Sequence, residues 1–179
     1  SIIIRQPDDF HLHLRDGDIL TATVPASAAI FARALVMPNI QPPADNAAAL
    51  LEYRKRILAA CPATLHFQPL MAFYLTDQTT TEQIATAFTH SDVLAVKYYP
   101  AGATTHSQNG VTDVAGRYPI FDYLQQAQIP LCIHAEIPDA DADPFEREAR
   151  FIDRVLLPLV RDFPTLRIVC EHASSQALI

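Results

Sequence analysis

The feature that most constrains this chain is the regular alternation of short apolar runs with amphipathic or polar segments along its whole length. Runs rich in large and β-branched apolar residues at Phe10 to Leu14, Ala34 to Met37, Leu65 to Phe73, Val93 to Tyr99, Leu131 to Ala135 and Leu166 to His172 read as six strands. Between them, Ala47 to Cys61 carries Leu50, Tyr53, Ile57, Leu58 and Cys61 at helical spacing. Pro144 to Phe163 opens with Asp143 as N-cap, Pro144 in the first position and Glu146 three residues after the cap. Pro158 is expected to kink or end that helix. Shorter helices are expected from Thr81 to Thr89 and Ile120 to Gln126, with another opening over Ser174 to Ile179. Strand, helix, strand order needs crossover connections, and these give parallel strands with helices outside.

An open doubly wound sheet and a (β/α)8 barrel both satisfy that order. The first strand-to-helix turn, His13-Leu14-Arg15-Asp16-Gly17-Asp18, contains neither a G-x-G-x-x-G nor a phosphate loop, so a dinucleotide fold has no support. A whole barrel takes about 250 residues. Six strands in 179 residues therefore predict about the first six β/α units of an eight-unit TIM barrel, as a single incomplete domain over residues 1–179.

Half of the residues are apolar and only 4 are glycine, which excludes disordered and collagen-like chains. The net charge is −7 and no Lys/Arg cluster occurs, so neither nucleic acid nor an anionic membrane surface is an expected partner. Every apolar stretch is interrupted well before the ~18 residues that a membrane span requires. The N-terminus carries no secretory signal pattern, and three widely spaced cysteines in apolar runs suit a reducing compartment. The expected location is the cytoplasm.

The strongest chemical signal is Asp9-Phe10-His11-Leu12-His13-Leu14-Arg15. Strand alternation puts His11, His13 and Arg15 on one face and Phe10, Leu12 and Leu14 on the other. Two imidazoles one pleat apart, with Cβ atoms roughly 6 to 7 Å apart, can both reach one divalent ion at ~2.1 Å. A bare His-x-His also suits a solvated strand face, but Arg15 beside it and a parallel sheet buried on both sides favour a site. His134 and His172 lie at the ends of two later apolar runs. Singly, each reads as a satisfied core histidine; together, they sit where a parallel barrel gathers its strand C-termini and builds active sites. His66, His90 and His106 fall outside this pattern. Lys97 lies inside an apolar strand, where an ammonium needs a partner or a changed state. Three solutions stand open: a lowered pKa for Schiff-base chemistry, a carbamate bridging two cations, or a buried stem with the head reaching solvent. Tyr99 to Gly110, polar and hinged by two glycines, reads as a mobile active-site lid.

Asp9 to Gly17 resembles the signature of the amidohydrolase superfamily. Arg15 after His-x-His, with Met37-Pro38-Asn39 after the second strand, is similar to the dihydroorotases, in their shorter bacterial-type group. The resemblance covers the whole chain. It implies a metal-dependent hydrolase of TIM-barrel fold, a cytoplasmic homodimer, interconverting N-carbamoyl-L-aspartate and L-dihydroorotate in pyrimidine biosynthesis. It further implies two Zn2+ ions, one held by His11, His13 and a carboxylated Lys97, the other by the same carbamate with His134 and His172. A hydroxide bridging the ions would be the nucleophile. Arg15 and Asn39 would bind the substrate carboxylate, with His134 and the lid residues Thr104 and Thr105 also touching substrate. The family's general acid/base, an aspartate on strand eight, matches no residue here; Asp16 and Asp18 would be forced substitutes. It is expected beyond Ile179, and the 179-residue chain alone is expected to turn over negligibly. Hydantoinases, dihydropyrimidinases and allantoinase share the two-metal pattern, a Schiff-base lyase would use Lys97 without metal, and a non-catalytic scaffold would need none of these residues.

Overall fold

A computed structural model of the chain describes residues 2–179. Six strands, β1 (Asp8–Leu12), β2 (Arg33–Val36), β3 (Gln68–Tyr74), β4 (Val93–Tyr98), β5 (Leu131–Ile133) and β6 (Ile168–Cys170), form one parallel sheet in sequence order. The helices are α1 (Leu20–Ala28), α2 (Ala47–Ala60), α3 (Thr81–Ala87), α4 (Tyr118–Gln126), α5 (Arg147–Phe151) and α6 (Leu157–Asp162). β1 and β6 are not sheet neighbours, yet the His11 and His172 rings stand 5.2 Å apart. A flat sheet would separate those strands by about 24 Å, five spacings of ~4.8 Å, so the sheet is curled into an open barrel. The six expected strands are formed, curled as part of a barrel and joined by five helical crossovers.

Local signals set the helices. Asn46 caps α2 by accepting from the Ala49 amide at 3.0 Å, and Leu50, Tyr53 and Ile57 bury one stripe of that helix. Thr80 and Gln83 form a reciprocal capping box at α3. The expected single helix from Pro144 to Phe163 is instead a 3-10 turn (Pro144–Glu146), α5, a π-helical turn (Ile152–Leu156) and α6. Asp143 does cap its start, accepting from the Phe145 amide at 3.0 Å. Pro158 falls in the first turn of α6, directly after the π turn, so the expected break shows as a change in winding rather than an end to the helix. Ser174 to Ile179 forms turns rather than a helix. Helix α1 was not signalled by the sequence: Leu20, Val24 and Ala28 are buried at four-residue spacing, but Pro25 and two threonines obscure the pattern.

The main core fills the space between sheet and helices, and a smaller cluster of Leu35, Met37, Leu70, Ala72, Ala95 and Cys132 covers the inner face. A register irregularity between Asp9 and Leu12 breaks the alternation expected in β1. Leu14 is buried in the main core with Leu12 packed against it, whereas Phe10 lines an apolar cavity of about 620 Å³ with Leu35, Leu70 and Val169. Asp8 and Arg33, register partners on β1 and β2, form an ion pair that fixes the first strand.

Candidate metal centre and substrate pocket

The C-terminal ends of the strands carry the expected histidines to one place. His11 and His13 present Nε2 to Nε2 at 3.1 Å, and His134 Nδ1 stands 3.2 Å from His172 Nε2. The two pairs adjoin, since the His172 ring lies 4.7 Å from His134 and 5.2 Å from His11. The backbone fixes these positions. His134 donates its amide to the Tyr98 carbonyl at 3.0 Å, and His11 donates its own to Asp9 Oδ1 at 2.9 Å. His172 has φ +43°, a left-handed conformation that L residues adopt only under constraint. Two and three residues further on, the chain is tied to α5, where buried Glu148 accepts from the Ser174 amide and hydroxyl (2.9 and 2.7 Å) and the Ser175 amide (2.8 Å).

Lys97, on β4, is fully buried, and its ammonium meets the carboxylate of Glu171 at the end of β6. The solvent-reaching solution for this lysine is thereby overturned, and an ammonium paired in this way is not a free nucleophile. Its Nζ also stands 4.8 Å from the Tyr99 ring centroid. Glu171 is the residue that sequence reasoning missed. Strand alternation turns Glu171 and His172 to opposite faces, and only the left-handed φ at His172 lets both point inward. The signal available was the Glu-His pair closing an apolar run.

Electrostatics favour neutral rings at His13, His134 and His172. Burial pushes His13 down to about 4, with His11 and the Arg15 charge adding, and pushes His134 down to about 3, with His172 and Lys97 adding. Burial and the Lys97 charge lower His172 as well. Burial raises Glu171, but His11 and Lys97 outweigh it and hold the carboxyl below its ordinary value, so Glu171 is ionised. Burial lowers Lys97, opposed by Glu171. Burial lifts Cys132 to about 12, which leaves an inert thiol on the inner wall.

These donors fit a metal in part. Neutral imidazoles have lone pairs to give, the N···N separations approach the ligand edge of a tetrahedral zinc site, about 3.3 Å for Zn–N bonds of ~2.05 Å, and His134 Nε2 is buried without a partner. Among the described residues, however, no three His, Cys, Asp or Glu side chains converge on one point at ligand distance. The protein supplies two adjoining pairs of nitrogens, and a further donor has to come from elsewhere, the place a carbamate on Lys97 would fill.

A cavity of about 730 Å³, lined by none of the four clustered histidines, is bounded by Arg15, Gly17, Ile40, Gln41, Thr105 and His106. Arg15 has φ +61°, held by Tyr53 of α2, whose hydroxyl donates to the Arg15 carbonyl at 2.6 Å. Among the described residues its buried Nη1 has no partner, and neither has Asn39 Oδ1. The Asn39 amide nitrogen donates to the Thr105 carbonyl at 2.8 Å, and the Tyr74 hydroxyl donates to the His106 carbonyl at 3.1 Å, so the segment from Tyr99 to Gly110 is docked over the site. Thr104 lies apart from the cavity lining and instead closes a turn with Ser107, whose hydroxyl donates to the Thr104 carbonyl at 2.6 Å. Gly102 needs its φ of +80°, and a Cβ on Gly110 would meet the Tyr99 carbonyl oxygen at 2.3 Å. Asp16 is taken by Arg56 at 2.6 and 2.9 Å, and so is no free acid.

Imidazoles and a buried lysine gathered at the C-terminal ends of parallel barrel strands define an amidohydrolase-type barrel. No family model matches the chain. The sequence is 53% identical over 176 residues to a dihydroorotase from Cupriavidus necator, covering 98% of this chain and 51% of that protein. The crystal structure of a Campylobacter jejuni dihydroorotase superposes with a TM-score of 0.87 at 35% identity, over 97% of this chain and 49% of that one. A Saccharomyces cerevisiae dihydroorotase, solved in complex with 5-fluoroorotic acid, gives 0.84 at 34% identity, over 96% and 49%. The chain belongs to the dihydroorotase family, and it spans about half the length of the curated relatives it matches.

Proposed function

We propose that this chain carries the metal-binding and carboxylate-binding face of a zinc-dependent dihydroorotase, interconverting N-carbamoyl-L-aspartate and L-dihydroorotate in the cytoplasm as a homodimer. The observation that carries the reading is the meeting of His11, His13, His134 and His172 around buried Lys97, beside an unpartnered Arg15, in a chain 53% identical to a named dihydroorotase. His11 and His13 would hold one ion and His134 and His172 the other, with Lys97, as its carbamate, between them. A bound zinc pair supplies a Lewis acid for the amide carbonyl and an acidified water at neutral pH.

The chain's own residues select the substrate. Arg15 offers a planar fork that a carboxylate satisfies bidentately, and a neutral cyclic amide leaves that half-buried cation unpaired. Asn39 gives one N–H to the Thr105 carbonyl, and its second N–H can meet a substrate carboxylate while the lid segment stays docked, where it excludes water from the site. In the metal-free chain, with Lys97 as an ammonium, Glu171 is committed to Lys97 and faces His11 Nδ1 at 3.0 Å. Asp16 is held by Arg56 and Glu171 by Lys97, so neither serves as the general acid/base, and the chain alone turns over negligibly. Calorimetric titration of the zinc-loaded chain tests the reading. L-dihydroorotate binds, dihydrouracil and hydantoin bind at least tenfold more weakly, and Arg15→Met removes the preference; equal binding of charged and neutral rings overturns it.

A further inference from the structure

Glu171 stands where three strands meet. It lies at the end of β6, its carboxylate takes the Lys97 ammonium of β4, and its Oε1 is 3.0 Å from Nδ1 of His11 on β1. The His11 approach is close in distance but not yet aligned as a hydrogen bond, and that nitrogen has no other partner. The other nitrogen of the ring, Nε2, faces His13. We propose that Glu171 is a positioning residue that fixes the tautomer of His11: its carboxylate takes the Nδ1–H, so that Nε2, the nitrogen turned toward His13, carries the lone pair.

An ionised carboxylate can only accept, so Nδ1 has to be the protonated nitrogen; the opposite tautomer would set a lone pair against a buried anion. In the metal-free chain, where Lys97 is an ammonium, both carboxylate oxygens are then committed, one to Nζ and one to Nδ1, and Glu171 acts through its neighbours rather than on a substrate. A carboxylate behind a ligating imidazole orients the ring and raises its basicity, and losing such a partner typically weakens metal affinity by about 10- to 100-fold. This inference rests on the metal-centre reading for its consequence, but its core is a statement about the metal-free ring.

Glu171→Gln is the discriminating variant because it keeps the shape. Glutamine has one accepting oxygen and one donating nitrogen. The Lys97 ammonium claims the oxygen, which turns the NH2 toward His11 Nδ1 and forces the proton to Nε2. Long-range 1H–15N correlation of the chain labelled with 15N-histidine, above the pH at which imidazoles protonate, reads the tautomer directly, with His11→Ala assigning the signal. The expected result is the Nδ1–H form in the unsubstituted chain and the Nε2–H form in Glu171→Gln. Zinc affinity by chelator competition is expected to fall about 10- to 100-fold in Glu171→Gln and not to fall further when the substitution is added to His11→Ala. An unchanged tautomer in Glu171→Gln overturns the proposal, as does an equal loss of zinc affinity in the His11→Ala background. If the unsubstituted chain binds no zinc, the metal-centre reading fails, and the tautomer still decides the role of Glu171.

Discussion

Removing Lys97 should destabilise the chain far more than removing Lys97 and Glu171 together. The Lys97 side chain is fully buried and that of Glu171 is 4% exposed, so Lys97→Met leaves a carboxylate with neither water nor a cation. Breaking a buried pair from one side costs about 3–5 kcal/mol, whereas replacing both partners by apolar groups is often neutral. For a domain of this size each kcal/mol moves the melting point by about 2–4 °C. Lys97→Met should therefore lower Tm by roughly 6–20 °C, while Lys97→Met with Glu171→Leu should return to within about 2 kcal/mol of the unsubstituted chain. The assay is urea unfolding at pH 7 followed by far-UV circular dichroism, in metal-free buffer without bicarbonate, so that the lysine stays an amine. Low pH supplies an internal control, since a protonated Glu171 no longer needs its cation and the penalty should shrink. If Lys97→Met stays within 1 kcal/mol of the unsubstituted chain at pH 7, the buried pair is not what holds β4 to β6.

Two further outcomes follow from the same contacts. Tyr53→Phe removes the donor to the Arg15 carbonyl and should cost about 1–2 kcal/mol in urea unfolding, while zinc affinity stays within twofold; full stability would show that the carbonyl finds another partner. Acid should unfold the chain through its buried carboxylates. Burial raises Glu148, but hydrogen bonds from Ser174 and Ser175 outweigh it, and Glu148 and Glu171 both sit below their ordinary value when folded. The unfolded chain therefore takes up protons first, near pH 4.3, and the stabilisation present above that value is lost as the pH falls toward the folded values. Glu148→Gln should flatten this acid limb in a pH series of unfolding free energies, and an unchanged limb would remove Glu148 from the account.

Much of this was legible in the sequence because it depends on period. The parallel order follows from strand and helix alternation, and the histidines at strand ends follow from where a parallel sheet places its C-termini. What stayed hidden depends on departures from period. Helix α1 carries a proline and β-branched residues that mask its buried stripe of Leu20, Val24 and Ala28. Phe10 escapes the face of Leu12 and Leu14 through a register irregularity, and Glu171 joins His172 through a positive φ. Neither local distortion leaves a compositional mark. The grip of Glu148 on Ser174 and Ser175 links residues 26 and 27 positions apart, a pairing that only the folded chain reveals.

The central claim is that these strand ends build a two-ion centre. Its most direct test is the number of zinc ions bound per chain, measured by atomic absorption after equilibration with zinc and bicarbonate and removal of free metal. The account predicts two ions in the unsubstituted chain, one after His172→Ala, and a loss of tight binding after Lys97→Ala. A chain that holds no zinc, or whose zinc is indifferent to His11, His13, Lys97, His134 and His172, would contradict it.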